Sequence, residues 1–219
     1  MKIILRIFIF LFIIIFFLIG YLSLIGFKTE RFNNQISQKI KKVDSNFKIE
    51  LKEIKIILDL FKFQLNAKTI GPKIIYKKEI IEIEYLKTKI PLASFFNKNF
   101  LIKNIEISTK SLKTKNVISF FRNFQNTSEL YILEKIIKKG YLIADINLDF
   151  DAEGNIKNNY KIRGILKDVE IKISKNYKLD NLNLAFNYDQ SILDLKDIKL
   201  DFNNLNFISQ NIKIENLKD

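Results

Sequence analysis

Carboxylates are the side chains best suited to chemistry in this chain, because its 219 residues include no histidine and no cysteine. A pair of carboxylates can act as general acid and general base without histidine. The acidic residues here are spread along strand-like segments and alternate with lysines, which is typical of a solvated face. Thiol nucleophiles and zinc sites of the Cys/His type are also excluded. The sequence therefore predicts a protein that is not an enzyme and uses no metal and no cofactor.

Two short motifs carry a chemical meaning in other proteins, but local structure explains both better here. The run Asp149–Gly154 has alternating acids and a glycine in the sixth position, as in a calcium-binding loop. Its twelfth position is Tyr160 instead of glutamate, and it begins inside a strand-like segment. A hairpin turn with exposed acids is therefore favoured. Residues 126–128 (Asn-Thr-Ser) match a glycosylation acceptor, but they also suit a loop and cap before a helix.

The N-terminus predicts a membrane anchor. From Ile7 to Phe27 the chain has 21 residues without a charge. As a helix this run is roughly 31 Å long, which matches the hydrocarbon core of a bilayer. A cleaved signal peptide is the alternative, but the run ends without a small-residue cleavage site, and Tyr21 suits an interfacial anchor. We expect residues 1–27 to be a transmembrane anchor and residues 28–219 to form the body of the protein.

Basic side chains are concentrated in the half of the body that follows the anchor. Residues 28–115 carry 20 basic and 9 acidic side chains, whereas residues 116–219 carry 15 of each. This asymmetry predicts that the first half faces something anionic. Basic residues flank the apolar run on both sides, so charge alone leaves the orientation of the anchor open. The side chains expected to face lipid headgroups are Lys28, Arg31, Lys39, Lys41 and Lys42.

A few short helices are expected among many strands. An amphipathic pattern predicts one helix near residues 29–43, which either packs on the sheet or lies on the membrane surface. A proline at position 91 predicts a helical turn near 92–96. Cap residues predict two helices within 117–139, with Gly140 as the left-handed residue that ends the second. A strand is expected over Phe61–Leu65.

From Tyr141 onward the sequence predicts an antiparallel meander with one apolar and one polar face. Apolar and polar residues alternate in segments that recur every 10–20 residues and are separated by short polar turns. The fold class predicted is mainly β with an N-terminal transmembrane helix, in which a twisted antiparallel sheet forms an open apolar groove. The residues predicted to line the groove are Leu142, Ala144, Ile146, Leu148, Phe150, Ile162, Leu182, Leu184, Phe186, Ile198, Leu200 and Phe202.

Two other interpretations fit the same alternating pattern. Two parts of the sheet could cover each other as a sandwich or closed barrel, or the sequence could be the first part of a longer repeating protein. We favour the open groove within a longer assembly, because no helical segment follows Gly140 that would cover the apolar face.

The order of elements resembles the AsmA-like family of bacterial envelope proteins. An N-terminal membrane helix leads into strands reading FKIELKEIKIILDLFKFQLNAKTIGPKIIY, then a PLASFF turn and the strand FLIKNIEIS. The later meander GYLIADINLDFDAEGNIKNNYKIRGILKDVEIKIS is similar to the repeating strands of that family. The resemblance implies an inner-membrane anchor with a cytoplasmic N-terminus and a periplasmic body. It also implies a lipid-carrying trough that serves phospholipid transport between inner and outer membranes and outer-membrane integrity.

Physical chemistry agrees with such a trough. A phospholipid drawn through water exposes about 30 methylenes at roughly 0.8 kcal/mol each, a cost on the order of 20 kcal/mol. A stripe of Ile, Leu and Phe offsets most of that cost without any catalytic group. The alternative hypothesis is an assembly or scaffold factor that binds envelope protein partners through its sheet. Nucleic acid is not an expected partner, because the aromatic residues of the basic half alternate with lysine as in any half-buried strand.

Overall fold

The chain consists of one long apolar helix followed by a predominantly β-stranded body. The computed structural model describes residues 2–30, 33, 34, 37, 45–77, 79–95, 102–151, 153, 155 and 157–215. Helix α1 (Lys2–Leu24) exposes nearly all of its apolar side chains. Its length and composition suit a membrane span or a signal sequence.

A tight joint connects α1 to the sheet. The amide of Gly26 donates to the carbonyl oxygen of Tyr21 (3.0 Å), and Gly26 adopts a φ of 71°, as glycines do after many helices. Strand β1 (Phe27–Thr29) follows at once and pairs with β3. A Cβ at Gly26 would overlap the carbonyl oxygen of Ile56, so only glycine fits where the helix meets the sheet.

Thirteen antiparallel strands form one sheet among the described residues. The strands after β1 are β2 (Phe47–Glu50), β3 (Ile54–Asp59), β4 (Gln64–Ile70), β5 (Lys73–Tyr76), β6 (Glu79–Pro91), β7 (Asn104–Thr109), β8 (Leu112–Lys113), β9 (Ile137–Asp149), β10 (Lys161–Lys172), β11 (Lys178–Asp189), β12 (Ile192–Phe202) and β13 (Leu205–Ile214).

The order of strands is β1-β3-β4-β6-β7-β9-β10-β11-β12-β13. Strand β5 pairs with β2 and with the first half of β6, and β8 pairs with β9. Within the described part of the chain β1 and β13 do not pair with each other, so the sheet is open and is not a barrel. The predicted fold class is confirmed.

Three short helical elements interrupt the strands of the described body. They are a 3₁₀ turn (Leu92–Phe95), helix α2 (Thr114–Phe124) and helix α3 (Ser128–Ile136). Of the helix expected near 29–43, the described residues Asn33, Asn34 and Ser37 are helical. The side-chain amide of Asn33 donates to the carbonyl oxygen of Lys52 (3.0 Å), which holds this segment beside the connection between β2 and β3.

Two expectations about element boundaries are wrong. Residues 137–139 belong to β9, and Gly140 lies inside that strand, because pairing with β10 starts directly after α3. Gly140 has a φ of 133° and lies so close to Val169 that a side chain would collide with it. The strand expected over Phe61–Leu65 begins only at Gln64, since the Asp59 carboxylate accepts the amide of Lys62 (3.1 Å) and closes a turn before it.

The register places one apolar face across the whole sheet. Residues directly opposite each other in paired antiparallel strands point to the same side. One row of such partners runs from β1 to β9, and it comprises Phe27, Ile56, Ala67, Thr88, Ile105 and Leu148. A neighbouring row continues from β9 to β13, and it comprises Ile146, Ile162, Tyr188, Leu193 and Ile214. We call this side the apolar face and the opposite side the polar face.

The apolar face is covered in the first half of the sheet. Helix α2 contributes Phe120 to a buried cluster with Tyr76, Ile81, Ile83 and Leu112. A second cluster, around Ile54, Ile56 and Ala67, lies near β1. The first cluster and the residues packed against it come from β2, β5–β8 and helix α2, and the second comes mainly from β3, β4 and β6. Both clusters therefore lie in the half of the sheet next to α1.

A half-buried carboxylate joins the two helices that provide this cover. The hydroxyl of Ser119 in α2 donates to Oε1 of Glu134 in α3 (2.8 Å), and Arg122 donates to Oε2. The hydroxyl of Ser119, followed by the guanidinium of Arg122, holds the pKa of Glu134 below its usual range. Ionised Glu134 therefore stabilises the helical pair.

Replacement of Glu134 with Gln should lower the melting temperature at neutral pH by a few degrees. A depressed pKa adds stability above the pKa of the unfolded chain, about 4.3 for Glu, and this stability is lost as pH falls through the lower folded value. The melting temperatures of the wild type and the variant should therefore converge at acidic pH. Thermal unfolding at neutral and acidic pH measures this, with Glu153→Gln in an exposed turn as the control. A difference that persists in acid would contradict the prediction.

Candidate functional site

The groove residues predicted from the sequence occupy one face of the sheet. Eleven of the twelve lie on the apolar face by register, and Phe150 follows directly after β9. Ala144 and Ile198 are buried, while the other ten are half-buried. Leu142 pairs with Leu112, so it lies at the edge of the cluster under α2. The set therefore extends from the covered half of the apolar face onto an uncovered half.

The uncovered half comprises β10–β13. Each of these strands contacts its sheet neighbours, and among the described elements no helix packs on them. The side chains of Leu184, Phe186 and Leu195 remain half-buried, although they lie in the middle of the face. The four strands are 10–12 residues long, which gives an apolar surface about 35 Å along the strands and roughly 15 Å across them.

Three aligned bulges keep this surface apolar along its whole length. Strands β10, β11 and β12 each contain one residue with a φ of 52°, namely Asp168, Asn181 and Asp197. The pairing shifts register at each of them. A bulge adds one residue, so the alternation restarts and the apolar side chains on both sides of it share a face. Asp and Asn tolerate this left-handed conformation better than most residues.

The bulges share a repeated sequence signal that the alternation of apolar and polar residues does not reveal. Each bulge lies in a four-residue pattern, in which a leucine is followed by any residue, then by Asp or Asn, and then by a branched apolar residue. The three copies of this pattern are Leu166–Val169, Leu179–Leu182 and Leu195–Ile198. Leu166, Val169 and Leu179 are therefore further members of the apolar face. Val169 is only 2% exposed, because it packs against the backbone of Gly140 across the strand pair.

Aromatic rings reinforce the uncovered half at its centre and at both ends. The ring of Phe186 lies over Gly164, where a Cβ would collide with it. At one end of the strands Tyr160 stacks on Tyr188 with 5.6 Å between ring centroids. At the other end Tyr177 stacks on Phe202 at 6.2 Å. These contacts fix aromatic side chains at both ends of the strands, and the aliphatic side chains between them, such as Leu184 and Leu195, are half-buried.

Of the predicted headgroup-facing residues, Lys28 is the one that the structure describes, and it is not brought together with the groove residues. Lys28 lies on the polar face, where its Nζ is 3.0 Å from a carboxylate oxygen of Glu53. Arg31, Lys39, Lys41 and Lys42 lie outside the described residues. The lysine at the start of the sheet and the apolar surface at its end are therefore on opposite sides and in different halves of the sheet.

The two short motifs have local structural roles. The carboxylate of Asp151 accepts the amides of Glu153 (3.0 Å) and Asn155 (2.8 Å), which closes a turn. The hydroxyl of Thr127 accepts the amide of Leu130 (3.4 Å) and caps α3. In the part of the chain that the structure describes, no three acidic residues are grouped as ligands for a metal ion.

Searches of protein-family models, of curated proteins and of solved structures return no match to this chain.

Proposed function

We propose that this chain is a membrane-anchored envelope protein whose apolar face, over β10–β13, holds the acyl chains of phospholipids that move between inner and outer membranes. The observation that carries the proposal is the uncovered half of that face, where aligned bulges maintain an apolar surface that no described helix covers. Soluble proteins rarely expose a contiguous apolar surface of this size unless it binds something. The resemblance to the AsmA-like family supports the same function.

The geometry suits chains of hydrocarbon better than a single compact ligand. Aliphatic side chains such as Leu184, Leu195 and Leu200 repeat from strand to strand, so a flexible tail finds similar contacts in many positions. Each methylene removed from water there contributes about 0.8 kcal/mol. The headgroup would remain in water at the rim. No catalytic side chain is required for this function.

The location follows from the same proposal. Helix α1 would cross the inner membrane with its N-terminus in the cytoplasm, and residues 28–219 would form the body in the periplasm. The joint at Gly26 supports this arrangement, because it leaves almost no linker between α1 and β1. The first strand of the sheet would then begin at the membrane surface.

Photo-crosslinking in the full chain tests the proposal. A photoreactive amino acid at Ile162, Leu184 or Phe202, all on the apolar face of β10–β12, should form adducts with phospholipid when the protein is in native membranes. Asn187 is the matched control, since it lies on β11 but on the polar face. Lipid adducts at the three apolar positions and none at Asn187 would support the proposal. Adducts to protein alone would overturn it.

A second candidate is the scaffold function, in which a protein strand adds to the sheet. Strand β13 is the outer strand of the described sheet, and it exposes Leu205, Phe207 and Ile208. Edge strands of this kind pair readily with another chain. A photoreactive residue at Ile208, which is on the polar side of β13, should then form protein adducts at a defined partner strand.

A further inference from the structure

We infer that the half of the sheet next to α1 is seated on the membrane surface, with an aromatic hairpin tip inserted among anionic lipids whose headgroups a row of lysines contacts. The tip is the turn Leu60–Phe63 between β3 and β4. The inference rests on one part of the proposed function, namely that α1 is a membrane anchor. It is independent of whether β10–β13 carry lipid.

Like charges stand directly opposite one another across four strands of the polar face. Lys28 in β1 is opposite Lys55 in β3, Lys55 is opposite Lys68 in β4, and Lys68 is opposite Lys87 in β6. Like charges in such positions destabilise a sheet. Lys28 and Lys87 are partly compensated by carboxylates, whereas no ion pair involves Lys55 or Lys68 among the described residues. An anionic ligand on the polar face would relieve the repulsion.

The lysine row lines a groove that reaches the hairpin tip. The groove has a volume of about 790 Å³, and its walls include Lys28, Lys55, Lys68 and Lys87 together with Lys62 of the tip. Glu53, Asp59 and Glu106 also line it, but seven lysines outnumber these three carboxylates, so the groove is net positive. It is large enough for a phosphate-bearing headgroup, and lysines near a membrane surface attract anionic lipids. Charge complementarity thus favours an anionic membrane as the occupant.

The tip exposes aromatic side chains that would otherwise be expected in a core. Phe61 is 99% exposed and Phe63 is 71% exposed. The tip is firmly built: the Asp59 carboxylate accepts the amide of Lys62, and the amide of Leu92 donates to the carbonyl oxygen of Phe63 (2.8 Å). Phe63 also adopts a φ of 47°, an uncommon conformation for a residue with a side chain. Exposed aromatic rings beside a lysine are typical of a segment that enters the membrane interface.

The register places this tip beside the end of α1. Strand β3 runs antiparallel to β1, with Phe27 opposite Ile56, so β3 runs back toward the helix that precedes β1. Helix α1 contacts β3, which confirms this direction. The tip follows β3 and therefore lies near the point where α1 would leave the bilayer.

The absence of tryptophan from the chain allows a direct test. Three single-tryptophan variants of the full chain, Phe17→Trp in α1, Phe61→Trp at the tip and Phe121→Trp on α2, are placed in vesicles of neutral or anionic phospholipid. The quenchers are acyl chains brominated near the headgroup for positions 61 and 121, and acyl chains brominated near the methyl end for position 17, which is the midpoint of the apolar run 7–27. All three positions are exposed, so the substitutions leave the fold intact. Helix α2 packs at the opposite end of β6 from the tip, which makes Phe121 the control outside the membrane.

In anionic vesicles the emission of tryptophan at position 61 should shift to shorter wavelength and be quenched, while that at position 121 should be unaffected. Adding Lys55→Gln and Lys68→Gln to the Phe61→Trp variant should reduce the quenching to its level in neutral vesicles. Unquenched emission at position 61, or equal quenching regardless of lipid charge and lysines, would overturn the inference. Quenching at position 17 reports the anchor itself, so its loss would instead identify failure of the proposed function.

Discussion

Replacing Leu184 with Asp lowers the yield of phospholipid adducts from a photoreactive residue at Phe202 by about two orders of magnitude, if the apolar face holds acyl chains. Leu184 lies in the middle strand of β10–β12 and pairs with Leu166. A carboxylate at this position must be desolvated when hydrocarbon covers it. That costs several kcal/mol, and each 1.4 kcal/mol is a factor of ten in binding.

The matched control for this variant is Asn187→Asp. It adds the same charge to the same strand but on the polar face, so its adduct yield should equal that of the wild type. Thermal unfolding of both variants separates a loss of binding from a loss of folding. An unchanged adduct yield in a folded Leu184→Asp protein would count decisively against lipid on this face.

Replacing Gly26 with Val should detach β1 from β3. Valine is a poor fit for a φ of 71°, and its Cβ would overlap the carbonyl oxygen of Ile56 and approach the side chain of Ile57. The combined penalty is about 3 kcal/mol, in the range of strained backbone positions with steric overlap. Hydrogen exchange of the β1 and β3 amides in the full chain should accelerate by about 100-fold.

Gly20, which lies inside α1, offers a control. No atom lies within 4 Å of the position that a Cβ would occupy there. Gly20→Val should therefore leave the exchange of the β1 and β3 amides unchanged. Equal exchange rates in Gly26→Val and the wild type would mean that the joint tolerates a side chain, and that the helix is not held rigidly against the sheet.

Alternation of apolar and polar residues was enough to predict an open antiparallel sheet, but not its details. It could not locate the bulges, because a left-handed Asp168 or Asn181 looks like any polar residue between two apolar ones. It also misplaced Gly140, since the signal for the end of a helix and the signal for close packing of two strands are both a glycine. Register, which decides both cases, depends on partners distant in sequence.

The prediction of the candidate site from the sequence was limited in the same way, because it also depends on which strands pair. The sequence predicted that the first half of the body faces an anion, from its excess of basic residues. Only pairing across strands reveals that Lys55 and Lys68 are adjacent. The sequence also grouped Leu142 with Leu184 as equally accessible. Leu142 pairs with Leu112 because the chain passes through α2 and α3 and then returns along β9, and composition carries no information about that contact.

The strand order has a consequence for how the protein is made. From β9 to β13 every strand pairs with the one that immediately precedes it in the chain. Contacts between neighbours in sequence form quickly, because little loop entropy is lost. This half can therefore assemble one hairpin at a time, each new strand adding to an existing template as the polypeptide emerges. Sequential addition of hairpins sets no fixed number of strands. Strands can therefore be gained or lost during evolution without changes to the remaining part of the sheet.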